Sequence, residues 1–340
     1  MIRIGVIGYG YWGPNLVRNF ADLTDAVVTW VADRRPERLE SLKRRYPAFH
    51  TTTDAHELIA AAAVDAVVVA TPVASHFDLA LRALTAGKHV LVEKPLTDKV
   101  ADAERLVEEA RQRKRVLMVD HTFAYTAAVR KIRELVVSGE LGEIYYYDSV
   151  RINLGLFQPD VNVLWDLAAH DLAIMDFVLD ARPVAVSATG LAHVPNEPEN
   201  LAYLTMFFDE RIIAHAHVSW LAPVKVRRTL VGGSRRMVVY DDLEASEKIK
   251  VYDRGISVKP DSEDVYQMRI GYRSGDMSAP HLGVSEALYV EAQHFVECVT
   301  AGKTPITDGE AGLRVVRLLE AATASMAARG RLVPLKVVAQ

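Results

Sequence analysis

The chain of 340 residues is poor in cysteine, with Cys298 as the only one, and it is poor in long uncharged stretches. A single cysteine excludes a disulfide scaffold and a cysteine-based zinc site within one chain, and it favours a reducing, cytoplasmic location. No run free of Asp, Glu, Lys and Arg exceeds 14 residues. Because a helix needs about 20 mostly apolar residues to cross a bilayer, we expect no membrane-spanning helix.

An excess of charge of one sign is also missing. Lys and Arg number 40, Asp and Glu number 44, and the formal net charge is -4. This balance provides no broad positive field for nucleic acid or for an anionic membrane, so we expect neither partner. Hydrophobic residues make up 50% and charged residues 25%, which excludes a disordered or fibrous chain. At roughly 100–200 residues per domain, the length predicts two domains.

The first part of the chain alternates apolar runs with helix-compatible stretches. Five short apolar runs lie at residues 2–7, 27–33, 64–70, 89–93 and 116–119. Continuous apolar strands separated by helices predict parallel strands that are covered on both faces. We therefore expect a doubly wound α/β domain over residues 1–121.

The second part, residues 122–340, has a different pattern of apolar and polar residues. Its apolar runs are separated by short polar connections such as Asp209-Glu210 and Asp241-Asp242. Short connections permit antiparallel neighbours, so we expect a large, mostly antiparallel sheet with a few helices. Residues 253–285 are rich in Gly, Asp, Ser and Pro and predict an extended loop, while 286–301 and 309–329 predict two closing helices.

A glycine-rich turn follows the first predicted strand. Gly8, Gly10 and Gly13 have the spacing of a dinucleotide-binding turn, and the turn opens a helix. Asp33 ends the next predicted strand, where a carboxylate accepts a hydrogen bond from a ribose hydroxyl. The helix N-terminus supplies amides for the pyrophosphate. We predict a dinucleotide cofactor over this turn, including Tyr9, Tyr11 and Trp12, rather than a turn without ligand.

The residues around Asp33 indicate which dinucleotide is bound. A carboxylate at this position repels the 2′-phosphate of NADP, which favours NAD. Arg34, Arg35 and Arg38 follow closely, and an arginine beside the acid can fold over a phosphate. NAD is the prediction, and NADP is the alternative.

Two further clusters carry reactive side chains. Lys94 follows a predicted parallel strand, at the end where ligands of open α/β sheets bind, although Glu93-Lys94-Pro95 is also an ordinary surface turn. Asp166 and His170 are four residues apart on a predicted helix and therefore share a face. Histidine titrates near neutral pH and suits proton transfer from a hydroxyl. The alternative is a capping Asp and a packed His.

Taken in order, the motifs resemble the glucose-fructose oxidoreductase / inositol dehydrogenase / rhizopine catabolism (Gfo/Idh/MocA) family. The resemblance covers nearly the whole chain. It rests on Gly-Tyr-Gly-Tyr-Trp-Gly at 8–13, Ala70-Thr71-Pro72 with His76, Glu93-Lys94-Pro95, and Asp166-x-x-x-His170.

The resemblance implies a Rossmann domain followed by an α/β domain whose open sheet forms homodimers or homotetramers. It implies NAD(P)-linked oxidation or reduction of a sugar or cyclitol, with Lys94 binding the reacting oxygen, His170 accepting its proton, and Asp166 as the partner of His170. No metal is needed for this chemistry. The further cofactor contacts that we expect are Arg34, Thr71, Pro72, His76 and Glu93. The further polar candidates for substrate contact are Tyr125, Arg151, Asn153 and Gln158, and a structural role is the alternative for each of them.

The substrate class is predicted from three shorter segments. Residues 10–15, 121–125 and 153–157 resemble a branch of the family that acts on nucleotide-linked sugars. Two alternatives remain open: an inositol or free-sugar dehydrogenase of the same family, and a non-catalytic protein that binds dinucleotide and reports redox state.

Overall fold

The computed structural model describes residues 1–155, 157, 161–209, 211–258 and 270–335. The chain divides into two units. The first unit is Met1–Thr126 with Ser285–Arg317, and the second holds the described residues from 127 to 284 and from 318 onward. The domain boundary between residues 121 and 122 stays a prediction.

The first unit is built on a six-stranded parallel sheet. The strands lie in the order β3-β2-β1-β4-β5-β6, so the direction of winding reverses between β1 and β4. This is the order of a doubly wound dinucleotide-binding sheet, and the predicted fold class is confirmed. The strands are β1 Ile2–Ile7, β2 Ala26–Ala32, β3 His50–Thr52, β4 Ala66–Val69, β5 His89–Glu93 and β6 Leu117–Asp120.

Helices connect these strands and cover them. Every residue of β4 is buried, as expected for a strand packed on both faces. Helix α1 packs through Leu16, Val17 and Phe20, which recur at helical spacing and are at most 1% exposed. The helices are α1 Gly13–Ala21, α2 Pro36–Arg45, α3 Ala55–Ala60, α4 His76–Thr85, α5 Val100–Arg113 and, from the C-terminal part, α8 Ala287–Ala301. The short β3 and α3 have no counterpart among the sequence predictions.

The parallel arrangement brings functional residues to one edge of the sheet. All six strands run in one direction, so their carboxyl ends meet there. Gly8 follows β1, Asp33 follows β2, Thr71 lies just beyond β4, Lys94 follows β5, and Asp120 ends β6.

The second unit contains a nine-stranded sheet in the order β14-β13-β12-β11-β7-β10-β9-β8-β15. Neighbouring strands are antiparallel except for β7 and β10, which confirms the predicted mostly antiparallel sheet. The strands are β7 Ile144–Leu154, β8 Pro183–Leu191, β9 Leu201–Phe208, β10 Ile213–Ser219, β11 Leu221–Gly233, β12 Met237–Asp241, β13 Ile249–Val258, β14 Ile270–Ser278 and β15 Val333–Pro334. The helices are α6 Ala127–Val137 and α7 Ala169–Val178, and α9 Gly309–Ala327 runs across the division between the units.

The predicted extended loop over residues 253–285 is wrong in two places. Strand β13 continues to Val258, and β14 occupies Ile270–Ser278. Strand β14 is the outermost strand of the sheet, and its residues from 272 to 278 are exposed. An exposed edge strand has no buried face, so it lacks the apolar alternation by which strands are recognised, and the ladder with β13 determines its conformation.

Among the described residues, no helix combines the length and the apolar character that a bilayer crossing requires.

Candidate functional site

The turn between β1 and α1 requires glycine at two of its three glycine positions. Gly8 has φ +99°, and a Cβ atom there would lie 2.3 Å from the carbonyl oxygen of Ala70. A Cβ on Gly13 would lie 2.1 Å from the carbonyl oxygen of Gly8. Gly10 differs, because the nearest atom to its Cβ position is Arg35 Nη2 at 3.5 Å. The protein's own packing therefore does not require glycine at position 10, whereas the close approach of a dinucleotide pyrophosphate to the backbone would require it.

Asp33 is buried and is held by three groups. Its Oδ2 accepts from the amide of Tyr9 at 2.8 Å, and its Oδ1 accepts from the amide of Arg35 at 2.9 Å. The Arg35 guanidinium lies against both oxygens. Burial by itself raises the pKa of Asp33, but the hydrogen bonds from Arg35 and Tyr9 outweigh it and lower the pKa. Asp33 is therefore a fixed anion at the end of β2.

The other residues of the turn have different surroundings. Tyr11 is 92% exposed, and Arg34 is also exposed. Trp12, at the start of α1, donates from Nε1 to Asp120 Oδ2 at 2.9 Å. This hydrogen bond connects the beginning of α1 to the end of β6 at the edge of the sheet where the strands end.

His76 connects two of the predicted motifs. It is 1% exposed, and its ring nitrogens lie 2.8 Å from the carbonyl oxygens of Pro95 and Thr71. Burial lowers the pKa of His76 more than these carbonyls raise it. His76 thus joins the turn after β4, where Pro72 is exposed, to the turn that carries Lys94. The geometry favours a positioning role for His76, while contacts of Thr71 and Pro72 with the cofactor stay a prediction.

A group of carboxyls lies behind the Lys94 turn. Glu93 ends β5, Asp120 ends β6, and Glu291 comes from α8 with no exposed surface. Burial, followed by repulsion from Asp120, raises the pKa of Glu93 well above its usual range. The same two causes raise the pKa of Glu291. Glu93 and Glu291 therefore hold their protons to higher pH than ordinary carboxyls do. The described residues hold no cluster of three or more His, Cys, Asp or Glu side chains arranged for a metal ion.

The second unit places Asp166 and His170 around the beginning of α7. Asp166 lies in a π-helical turn, Leu164–Ala168, and His170 lies in the first turn of α7. Such turns are rare and are frequent at functional sites. Asp166 Oδ2 accepts from Trp220 Nε1 at 3.0 Å, and both Asp166 and His170 are half-buried. The indole fixes one carboxylate oxygen in place.

The four further candidates for substrate contact have different surroundings in the structure. The guanidinium of Arg151 donates to both oxygens of Asp171 at 2.8 and 3.2 Å, with both side chains 4% exposed. The hydroxyl of Tyr125 is buried 3.0 Å from Thr307 Oγ1, and burial raises its pKa. The structure favours structural roles for these two residues. Asn153 is half-buried near Trp220, and Gln158 lies outside the described residues.

Three residues of these groups have no counterpart among the sequence predictions: Trp220, Asp120 and Glu291. A sequence signal for Asp120 does exist. Asp120 lies at the end of an apolar strand, as Asp33 and Lys94 do, and this position is the reason for predicting those two residues. Trp220 and Glu291 carry no local signal. Trp220 is 54 residues from its partner Asp166, and Glu291 is far along the chain from Asp120.

Comparison with known proteins identifies the family. Residues 2–121 match the family model for the oxidoreductase family with an NAD-binding Rossmann fold, and residues 129–239 match the Gfo/Idh/MocA C-terminal domain. The chain belongs to the Gfo/Idh/MocA family. It is therefore an NAD-binding oxidoreductase, as the motifs predict, and its relatives include a UDP-N-acetylglucosamine dehydrogenase and a myo-inositol dehydrogenase.

Two similar proteins span almost the whole chain. The UDP-N-acetylglucosamine 3-dehydrogenase of Acidithiobacillus ferrooxidans is 29% identical over 93% of this chain and 94% of its own length. The myo-inositol 2-dehydrogenase of Thermotoga maritima is 25% identical over 96% of each. A solved structure of the Acidithiobacillus enzyme has a TM-score of 0.77 and 26% identity, and it covers 96% of this chain and 99% of that chain.

Proposed function

We propose that this oxidoreductase transfers hydride between NAD and a secondary alcohol of a nucleotide-linked sugar. The main support is one edge of the parallel sheet, where a glycine turn follows β1, the anion Asp33 follows β2 and the amine of Lys94 follows β5. The nucleotide-sugar part of the proposal rests on the segments at 10–15, 121–125 and 153–157 and on the similarity to a UDP-N-acetylglucosamine 3-dehydrogenase.

The proposal assigns NAD to residues of the first unit. The pyrophosphate would lie over Gly10 and the amides that open α1, and Asp33 would hold the adenosine ribose. Nicotinamide, when bound, would accept the hydride that leaves the carbinol carbon. Lys94 would donate to the reacting oxygen and stabilise charge that develops on it.

Proton transfer is assigned to His170. An imidazole can take the hydroxyl proton during oxidation and return it during reduction. Asp166 would orient the imidazole or hold a neighbouring sugar hydroxyl, because the Trp220 indole already fixes one of its oxygens. Asn153 would be a further polar contact to the substrate.

The experiment is a substrate panel with NAD, read by NADH formation at equal enzyme concentration. We expect turnover of UDP-N-acetylglucosamine and much weaker turnover of N-acetylglucosamine, because the free sugar lacks the nucleotide that contributes binding energy. Mass spectrometry of small molecules released from the denatured protein tests the same point without turnover. Lys94→Met, which keeps the length of the side chain and removes the amine, should lose turnover, and the exposed Lys43→Met on α2 should not.

A cyclitol or free-sugar dehydrogenase is the second candidate, since the myo-inositol 2-dehydrogenase of Thermotoga maritima is similar over 96% of the chain. Turnover of myo-inositol or glucose without turnover of any nucleotide sugar would support it against the first. Tight NADH binding with no turnover across the panel would instead support a redox sensor.

The proposal includes a homodimer or homotetramer that is joined through the nine-stranded sheet. Burial alternates along β9, which leaves Tyr203 and Phe207 exposed on one face, and Ile213 of β10 is exposed beside them. Tyr203 stacks on His217 at 4.5 Å. An apolar, aromatic sheet face of this kind suits a second copy of the chain. Light scattering of wild type and Phe207→Asp would test it, with a smaller mass expected for the variant. The cytoplasmic location stays a prediction that cell fractionation would test.

A further inference from the structure

Asp120 is a buried acid at the end of β6 that the proposed reaction does not use. It is 2% exposed and accepts two hydrogen bonds: Trp12 Nε1 donates to Oδ2 at 2.9 Å, and the hydroxyl of Thr122 donates to Oδ1. Thr122 is two residues away along the chain, whereas Trp12 is 108 residues away, at the N-terminal boundary of α1. Asp120 therefore connects the end of β6 to the glycine turn through a long-range hydrogen bond.

Trp12 occupies the part of the turn that determines how α1 begins. Its carbonyl oxygen accepts from the amides of Asn15 and Leu16 at 2.9 and 3.4 Å, so Trp12 is where the hydrogen bonding of the helix begins. The amides that would meet the pyrophosphate belong to this turn and to the first residues of α1. A shift of the indole would therefore move the amides on which cofactor affinity depends.

Two further carboxyls adjoin Asp120. Glu93 lies opposite Asp120 in the β5–β6 ladder and is half-buried, and Glu291 reaches Asp120 from α8 with no exposed surface. Neither oxygen of Glu291 accepts a hydrogen bond from the described residues. A buried carboxylate without a donor is costly, whereas a protonated carboxyl can donate to an adjacent carboxylate. Burial and repulsion from Asp120 raise the pKa of Glu291, which agrees with a proton held between the two acids.

The other ionisable groups around Glu291 come from several elements. Lys94 follows Glu93 and favours the charged form of that acid. Tyr125, in the turn after β6, is neutral near neutral pH, because burial and the charge of Glu291 raise the pKa of its hydroxyl. Arg18 of α1 is paired with an exposed acid at the start of α8. The turn and α8 also carry His121, His294 and Cys298. Since Glu291→Gln leaves all of these groups in place, that variant isolates the proton of Glu291.

From this arrangement we infer that Asp120 is a positioning residue for the cofactor turn, because it holds the indole of Trp12 while a proton shared with Glu291 holds Asp120 itself. While Glu291 is protonated, it donates to Asp120. When Glu291 loses that proton, two buried anions repel each other, the hydrogen bond between them is lost, and the hold of Asp120 on the indole weakens. The inference rests on the proposed function, because it concerns the same NAD site.

The first test is a double-mutant cycle, read by equilibrium binding of NADH to the full-length protein through nicotinamide fluorescence. Trp12→Phe keeps an aromatic ring and removes the N–H donor, and Asp120→Ala removes the acceptor. A hydrogen bond to a charged group corresponds to about 10- to 100-fold in an equilibrium constant. We expect each variant to weaken NADH binding by about 10-fold. The double variant should bind less than about 3-fold more weakly than either, because both changes remove the same contact.

The matched control for the loss of the indole is Trp30→Phe. Trp30 lies on β2, where its ring stacks on His50 with 3.7 Å between the ring centroids. This variant should bind NADH as wild type does. Thermal unfolding of each variant without cofactor checks that a loss of binding is not a loss of folding.

The second test is the pH dependence of NADH affinity, which a loss of folding would not reproduce. Wild-type affinity should fall by about 10-fold as pH rises through the raised pKa of Glu291, since the protonated form is the one that donates. Glu291→Gln keeps an amide donor at every pH, so its affinity should lack this fall. Glu297→Gln, at an exposed position of α8, should keep the pH dependence of wild type.

The outcomes separate the inference from the proposed function. Additive losses in the cycle, or unchanged NADH affinity in Trp12→Phe, would overturn the positioning role of Asp120 while wild-type NADH binding still supports the site. A wild-type affinity without the fall, or the same fall in Glu291→Gln, would overturn the shared proton. Failure of wild type to bind NADH at any pH would remove the NAD site and, with it, the proposed function.

Discussion

The two sheets of this protein bury their strands in different ways. Every side chain of β4 in the parallel sheet is buried, whereas burial alternates along β9 in the nine-stranded sheet. A strand that is covered on both faces can present reactive side chains only beyond its ends, which is where Asp33 and Lys94 lie. In the second unit, the candidate residues instead come from the beginning of a helix and from strands that keep one open face.

The largest expected effect comes from removing the imidazole of His170. Loss of a general base typically costs about 10²- to 10⁴-fold, so His170→Ala should reduce kcat within that range, while binding of NADH to the first unit stays intact. Steady-state kinetics and NADH titration measure the two separately. His56→Ala, at an exposed position of α3, is the matched control, and a near wild-type kcat in His170→Ala would contradict the assignment.

A large loss of stability is expected at Arg151 in the second sheet. Arg151→Ala would leave the buried carboxylate of Asp171 without its cation, which costs about 3–5 kcal/mol. Denaturant unfolding measures this cost. Arg3→Ala breaks the exposed pair with Asp65 and should cost much less, because solvent screens that pair. An equal loss of unfolding free energy in Arg151→Ala and Arg3→Ala would contradict the prediction that the buried ion pair contributes more than the exposed one.

A smaller effect separates two glycines of the same turn. Gly13→Ala drives a Cβ atom into the Gly8 carbonyl and should destabilise the protein by about 1–3 kcal/mol. Gly10→Ala makes only an ordinary van der Waals contact, 3.5 Å from Arg35 Nη2, so the unfolding free energy should change by less than about 0.5 kcal/mol while NADH affinity falls. Thermal unfolding with and without NADH tests both variants. Unchanged NADH affinity in Gly10→Ala would argue against the pyrophosphate position.

The last effect, at Glu291, depends on pH. Burial and Asp120 raise the pKa of Glu291 in the folded protein above its ordinary value of 4.5, so the folded state keeps a proton that the unfolded state loses. Wild-type stability therefore falls as pH rises from about 4.5 toward the raised pKa. Glu291→Gln carries no such proton, so its advantage over wild type should grow across this window. Urea unfolding at several pH values measures it, and a pH-independent difference would contradict the protonated state.

Much of the first unit could be predicted from local sequence. Its buried strands are continuous apolar runs, and its glycine turn has a spacing that few other structures require. The sequence-based predictions are wrong or incomplete where contacts between distant segments determine the structure. Strand β14 has no apolar face and exists because β13 pairs with it. The polar side chains of Tyr125 and Arg151 suggest ligand contacts until their buried partners Thr307 and Asp171 are known.

The sequence by itself determined the order of elements, the glycine turn, the acid at the end of β2 and the lysine after β5, because each depends on neighbours within a few residues. Only the tertiary structure decided which of these groups are already engaged. It shows that Arg35 covers Asp33, that His76 spans two turns, and that Trp220 holds Asp166. Hydrogen bonds and burial between segments far apart in the chain set these contacts, and no local pattern encodes them.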